Sequence, residues 1–243
     1  MNHIYYILII IGLNSFGVEP GSFEEQAKAY KWQLQAEEGL PNVLILGDSI
    51  SIGYTLDVRK ILAGKANVYR PVAGDKPLNC GDTVSGLNNL KKWLNTQGVK
   101  KWDVIHFNWG LHDLKRIKPG TAIKKATDPK VAPRNSPEKY QENLSKLIEV
   151  LKQTEAKLIF ATTTAYPSGV VPCRIPEDAK IYNEVAQKLM QKNQIVINDL
   201  YTFTQPRLKE LQIPVNVHFT PKGSQSLAKE VSRHIAQALN LKL

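Results

Sequence analysis

Val43-Leu44-Ile45-Leu46-Gly47-Asp48-Ser49-Ile50-Ser51 sets an unbroken apolar run against an abrupt Gly-Asp-Ser, after which a helical pattern begins. A short apolar run bounded by a turn residue reads as a strand buried on both faces, the kind found in parallel sheets. The serine then lies at the C-terminal end of that strand. In open α/β sheets this is the edge where ligands bind. A hydroxyl there is a nucleophile if a base and an oxyanion hole lie nearby, so the rest of the chain has to supply them.

Working outward, apolar periodicity predicts a strand at 43–46, a helix at 53–62 and a short strand at 68–70. A helix follows at 83–96, with Leu87, Leu90, Trp93 and Leu94 on one face, and then an apolar strand at 104–107. Residues 115–137 carry the breakers Pro119, Gly120, Pro133 and Pro137 and read as an extended loop long enough to be functional. An amphipathic helix is predicted at 137–153 and a strand at 157–162. A second irregular loop spans 166–176, followed by a helix at 177–192, a strand at 195–197 and a closing helix at 221–239 with Pro221 in its first turn. Upstream, residues 22–38 look helical, with capping residues at the start. Strands alternating with helices make an α/β fold, a parallel sheet covered on both faces. That topology gathers Gly47-Asp48-Ser49, residues 108–113 and residues 162–174 at one sheet edge.

The 243 residues, 42% hydrophobic and 22% charged, suit one globular domain, expected over residues 18–243. Residues 1–17 read as a secretory signal peptide. Ile4 to Leu13 is apolar and too short to span a bilayer, and Ser15 and Gly17 place small residues at a cleavage site. A secreted or periplasmic location follows as an expectation. The n-region lacks Lys and Arg, and a buried N-terminal strand or a retained anchor is the competing reading. In an oxidising compartment Cys80 and Cys173 can pair, which is the working hypothesis; two free buried thiols are the alternative. The net charge of +10 comes from scattered lysines such as Lys91-Lys92, Lys100-Lys101 and Lys124-Lys125. No basic run interleaves with aromatics, which argues against a nucleic-acid partner. A basic surface remains compatible with an anionic polysaccharide.

Four blocks carry the chemistry: Gly47-Asp48-Ser49; Asn79-Cys80-Gly81-Asp82-Thr83, a turn opening a helix; Asn108-Trp109-Gly110-Leu111-His112-Asp113, after a strand; and Val215-Asn216-Val217-His218-Phe219-Thr220-Pro221-Lys222-Gly223, just before the last helix. In this order and at these places they resemble the GDSL family, also called SGNH hydrolases, from about residue 42 to the C-terminus. The resemblance implies a flavodoxin-like three-layer α/β/α sandwich with a central parallel sheet and serine-dependent ester hydrolysis without a cofactor. Ser49 matches the nucleophile and His218 the base. The backbone amides of Ser49 and Gly81 match two oxyanion-hole donors, each lowering the barrier by about 3 kcal/mol.

Two departures stand out. The family places Asn where this chain has His112. A neutral imidazole donates one N–H, so His112 is the expected third donor. Asn108 is the other candidate, and a two-donor hole with His112 merely packed is the bland reading. The family also places Asp three residues before the catalytic His, where this chain has Val215. Asn216 is close, but in an extended segment its side chain points elsewhere. A backbone carbonyl holding the imidazole, another acid such as Asp199, and a crippled enzyme are the three readings, with a Ser-His dyad favoured.

Among the rest, Asp48 is expected to anchor its turn, Asp113 to bond loop amides, Asp199 to cap a helix and His106 to be a core histidine. His234 is expected at the surface. A metal site from His106, His112 and Asp113 matches no ligand spacing, so no metal is expected. Arg174 either lines the crevice, where it would bind a carboxylate or sugar hydroxyls, or forms a surface ion pair. Asn143-Leu144-Ser145 is a chance sequon inside a helix. The reading is an exported esterase removing a small acyl group, acetyl, from a carbohydrate, with no integral membrane association. A lysophospholipase or thioesterase of the same family, and a non-catalytic glycan-binding protein, are the competing readings.

Overall fold

The structure is a computed structural model that describes residues 32–243; the expected signal peptide lies outside them, as does most of the helix expected at 22–38. The described end of that segment is not helical. The Asn67 side chain grips it instead, accepting from Glu37 N at 2.9 Å and donating to Glu37 O at 2.9 Å. That pairing satisfies the backbone groups a helix would have used.

The strands are β1 (Asn42–Leu46), β2 (Asn67–Tyr69), β3 (Val72–Ala73), β4 (Lys76–Pro77), β5 (Val104–Phe107), β6 (Lys157–Ala161) and β7 (Val196–Asn198). Five of them form one parallel sheet in the order β2-β1-β5-β6-β7. The helices are α1 (Ser49–Ile61), α2 (Thr83–Leu94), α3 (Pro137–Lys152), α4 (Pro176–Lys192), α5 (Leu200–Thr204), α6 (Leu208–Leu211) and α7 (Pro221–Leu239). Helix α1 packs on α7, while α3 packs between α2 and α4, giving the three-layer α/β/α architecture. Covered on both sides, β1 buries Val43 through Leu46 completely, which is why it reads as a continuous apolar run.

The chain leaves β1 toward β2 on one side, and β5 lies on the other. The order reverses there, and the resulting crevice holds the segments after β1 and β5. The short β3–β4 hairpin, α5 and α6 escaped the sequence reading because none is long enough to show a period. On α2 the buried line is Thr83, Gly86, Leu90 and Trp93, with Leu87 turned outward. Gly86 sets this rotation: a Cβ there would lie 3.1 Å from the Trp109 ring and from Leu147. Among the described residues no helix is long and apolar enough to cross a membrane.

Candidate active site

Gly47 ends β1 and Asp48 caps α1, its carboxylate accepting from Ile50 N at 2.9 Å. Ser49 is therefore the first residue of a helix. Its amide has no intrahelical acceptor and sits at the positive end of the helix dipole. Gly47 is required by crowding, since a Cβ there would meet Ser51 Oγ at 2.9 Å.

Arg70, fully buried at the end of β2, holds this turn from beneath. Nη2 donates to Gly47 O at 2.6 Å and to Leu78 O at 3.0 Å, and Nη1 donates to Ser51 Oγ at 2.7 Å. Cys80 N also donates to Gly47 O, at 3.0 Å. One guanidinium thus joins the Ser49 turn to the loop leading to Gly81. Sequence reading missed this role; the signal was an arginine ending an otherwise apolar strand.

The closing block explains its own composition. Thr220 caps α7 by accepting from Gly223 N at 3.1 Å, and Pro221 takes the first helical position. Gly223 lets the helix pass Leu211 O, which a Cβ would meet at 2.1 Å. Upstream the chain turns back on itself, with Gln212 bridged to Phe219 and Ile213 N donating to His218 O at 3.0 Å. Val215 takes the left-handed region of that turn, φ 51°.

His218 Nε2 lies 2.8 Å from Ser49 Oγ. The expectation that Asn216 points away is corrected. Because 213–218 is a turn rather than an extended strand, Asn216 Oδ1 lies 2.8 Å from His218 Nδ1 and 3.0 Å from His218 N. The backbone N–H can only donate, so the atom it faces is the amide oxygen. The ring nitrogen facing the same oxygen must then carry the proton. Nε2 is left with its lone pair toward Ser49 Oγ, the tautomer a general base needs. Asp199 does not reach the imidazole; it caps α5 and bonds Thr162 and Thr202.

The expected oxyanion donors are placed unevenly. Gly81, φ 63°, donates its amide to Asn79 Oδ1 at 2.9 Å. Asn108 is buried and its amide donates to Ala161 O at 2.7 Å. His112 makes no hydrogen bond with any described residue, and burial pushes its pKa below the usual histidine range, with Lys115 and Arg174 adding to the effect against Asp48. A ring so disposed is neutral and free to donate. The loop holding it turns at Gly110, φ 146°, where a Cβ would collide with Thr163 Oγ1.

Asp113 lies beneath this loop and ties three elements together. It accepts from Thr83 N at 3.1 Å, Thr83 Oγ1 at 2.5 Å and Asn135 Nδ2 at 2.7 Å. Burial nevertheless lifts its pKa to about 6. Asn143 is buried and donates to Thr83 Oγ1 at 3.0 Å, which removes it as a sequon acceptor in the fold. His106 is a core histidine, its Nε2 3.1 Å from Asn198 Oδ1. His106, His112 and Asp113 form no metal-holding group among the described residues. His234 is half-buried rather than on the surface, with Nδ1 3.0 Å from Glu230 O.

Cys80 and Cys173 are separate buried thiols, so the bridge is not formed. The Cys173 loop is fastened by backbone bonds instead: Arg116 N donates to Cys173 O at 2.9 Å, and Cys173 N donates to Ala126 O at 2.6 Å. Burial raises the Cys80 thiol to about 11, leaving it inert. The surface ion pair considered for Arg174 is not formed among the described residues: Arg174 is buried, with Nε donating to Leu111 O at 2.9 Å.

This arrangement, a serine at the β1 edge and a histidine before the last helix of a doubly wound sheet, defines a class of hydrolases acting on esters. The chain belongs to the GDSL-like lipase/acylhydrolase family, whose sequence profile it matches over residues 45–225. Solved structures share the fold. A lipase/acylhydrolase from Enterococcus faecalis is 21% identical with a TM-score of 0.64, covering 84% of this chain and 98% of that one. The acetyl xylan esterase AlAXEase is 16% identical with a TM-score of 0.60, covering 80% and 99%. The acetylxylan esterase Axe2 from Geobacillus stearothermophilus is 16% identical with a TM-score of 0.61, covering 83% and 95%. No curated protein sequence matches the chain.

Proposed function

We propose that the chain is an exported serine esterase that removes a small acyl group, acetyl, from a carbohydrate, with Ser49 as nucleophile and His218 as base. The observation carrying this reading is the continuous contact from Asn216 through His218 to Ser49, with the imidazole in the tautomer that accepts the serine proton. Ser49 Oγ attacks the acyl carbon as Nε2 takes its proton. The carbonyl oxygen gains charge facing the Ser49 amide and the His112 N–H. The Gly81 amide joins them once the exposed Asn79 side chain turns aside. The imidazolium returns its proton to the leaving alkoxide, and water repeats the sequence on the acyl-serine. Asn108, already donating to Ala161 O, is the weaker third donor. The acetyl-sugar part rests on likeness in fold to acetyl xylan esterases.

Turnover of 4-nitrophenyl acetate and long-chain 4-nitrophenyl esters, with labelling by a serine-directed phosphonate, tests the proposal. Acetate is expected to be the better substrate, with Ser49→Ala and His218→Ala both inactive. His112→Ala should slow turnover while Ser49 remains labelled. Preference for long chains would favour a lysophospholipase or thioesterase. No turnover and no labelling would favour glycan binding.

A further inference from the structure

Arg174 retains only 6% of its exposed surface, yet no described carboxylate forms an ion pair with it. Nε is held by Leu111 O at 2.9 Å and Nη1 by Pro172 O at 3.1 Å. Nη2 has no acceptor among the described residues, and it is not one of the fully enclosed polar atoms, so it keeps some contact with solvent. Two carbonyl dipoles do not neutralise a full charge, and a buried cation without a partner costs several kcal/mol.

A second unmatched cation adjoins it. Lys115 is half-buried, and its ammonium makes no hydrogen bond or ion pair with a described residue. Burial lowers its pKa first, and repulsion from Arg134 and Arg174 lowers it further. The neighbouring cations are matched: Arg116 pairs with Asp178 at 2.7 Å and Arg134 with Asp82 at 2.5 Å. Backbone bonds hold the segments side by side, Arg134 N to Lys115 O and Arg116 N to Cys173 O, each 2.9 Å. Arg174 Nε donates to the carbonyl of Leu111, the residue before His112, and Lys115 follows His112 by three residues, so both belong to the surroundings of the loop that carries His112. Asp48 acts on Arg174 through space, and Asp82 and Asp113 on Lys115, without contacting them.

We propose that Arg174 and Lys115 form an anion subsite beside the His112 loop, and that the acylated substrate carries a carboxylate there, as an acylated uronic acid does. This rests on reading the adjoining centre as an esterase. The guanidinium, held by two carbonyls, offers Nη2 from a fixed position and the lysine a mobile point charge, which together suit a carboxylate of adjustable position.

Binding of methyl β-D-glucuronide and methyl β-D-glucoside, which differ at the carboxylate, tests it by NMR titration of the whole chain. The glucuronide is expected to bind about tenfold more tightly at low salt, with the margin narrowing as salt rises. Arg174→Gln and Lys115→Gln should each shrink the margin to about threefold or less. Lys115→Gln removes no hydrogen bond of the described fold, so it decides the matter if Arg174→Gln does not fold. Equal affinity for the two glycosides, no glucuronide binding in the millimolar range, or an unchanged margin in Lys115→Gln overturns the proposal. Binding is read without turnover. Failure of the esterase reading shows separately, as absent ester hydrolysis and absent serine labelling.

Discussion

At the scale of single residues, the oxygen of Asn216 faces two nitrogens of His218, one of which can only donate. That shared contact fixes the ring's proton without any carboxylate. A neutral amide orients the imidazole but does not stabilise the imidazolium as a carboxylate does. Asn216→Ala is therefore expected to lower kcat/KM by about tenfold to a hundredfold, through lost orientation. Asn216→Asp adds a negative charge beside the ring and favours its protonated form. The acid limb of its pH–rate profile should move up by about one pH unit relative to the wild type, and an unmoved limb would refute the contact. The sequence displays Asn216 two residues before His218, yet an extended chain would aim it away. What it does not display is Val215 at positive φ, which turns the chain and brings the amide back.

At the scale of elements, the junctions matter more than the helices and strands they join. Arg70 binds carbonyls from two loops that are far apart in sequence, Gly47 O and Leu78 O. Hydrogen bonds from a charged donor are among the stronger ones, and removing that donor leaves buried acceptors short of a partner. Arg70→Met is expected to destabilise the fold by about 3 kcal/mol, read as a lower urea midpoint. Because the same group steadies the Ser49 turn and the Gly81 loop, kcat should fall more than KM rises. Helix positions were legible at most sites where a period ran long enough, the described end of the segment at 22–38 being the exception. The closing helix, residues 221–239, and the strand at 104–107 appear where the pattern puts them. The hairpin at 72–77 and the short α5 and α6 were not legible, since a few residues carry no period.

At the scale of the whole molecule, two buried titrating groups pull acid stability in opposite directions. Asp113 is raised from 3.8 to about 6 in the fold, so the folded state holds its proton more tightly and stability falls as pH rises through that window. His106 is lowered from 6.5 to about 4, so stability falls as pH drops through an overlapping window. Each shift corresponds to about 3 kcal/mol, and the two largely offset one another. Asp113→Asn removes the first and keeps an acceptor for Thr83 and Asn135. Relative to the wild type, its urea stability should lose about 2 kcal/mol more on going from pH 6.5 to 4. Parallel curves for the two proteins would show that Asp113 is not the counterweight.

The sequence by itself determined the parallel α/β order and the edge to which Ser49 belongs, because apolar period and strand–helix alternation are local properties; His218 was joined to that edge by the family resemblance of its motif. The sequence also contained the place of Pro221, which acts within one turn of chain. Only the tertiary structure decided that Asn216 steadies His218, that Arg70 links two loops, that the cysteines stay apart and that Arg174 is buried without a counter-ion among the described residues. Each of those depends on a turn's handedness or on segments meeting across the sheet edge, and neither distance nor direction between such groups is carried by residue order alone.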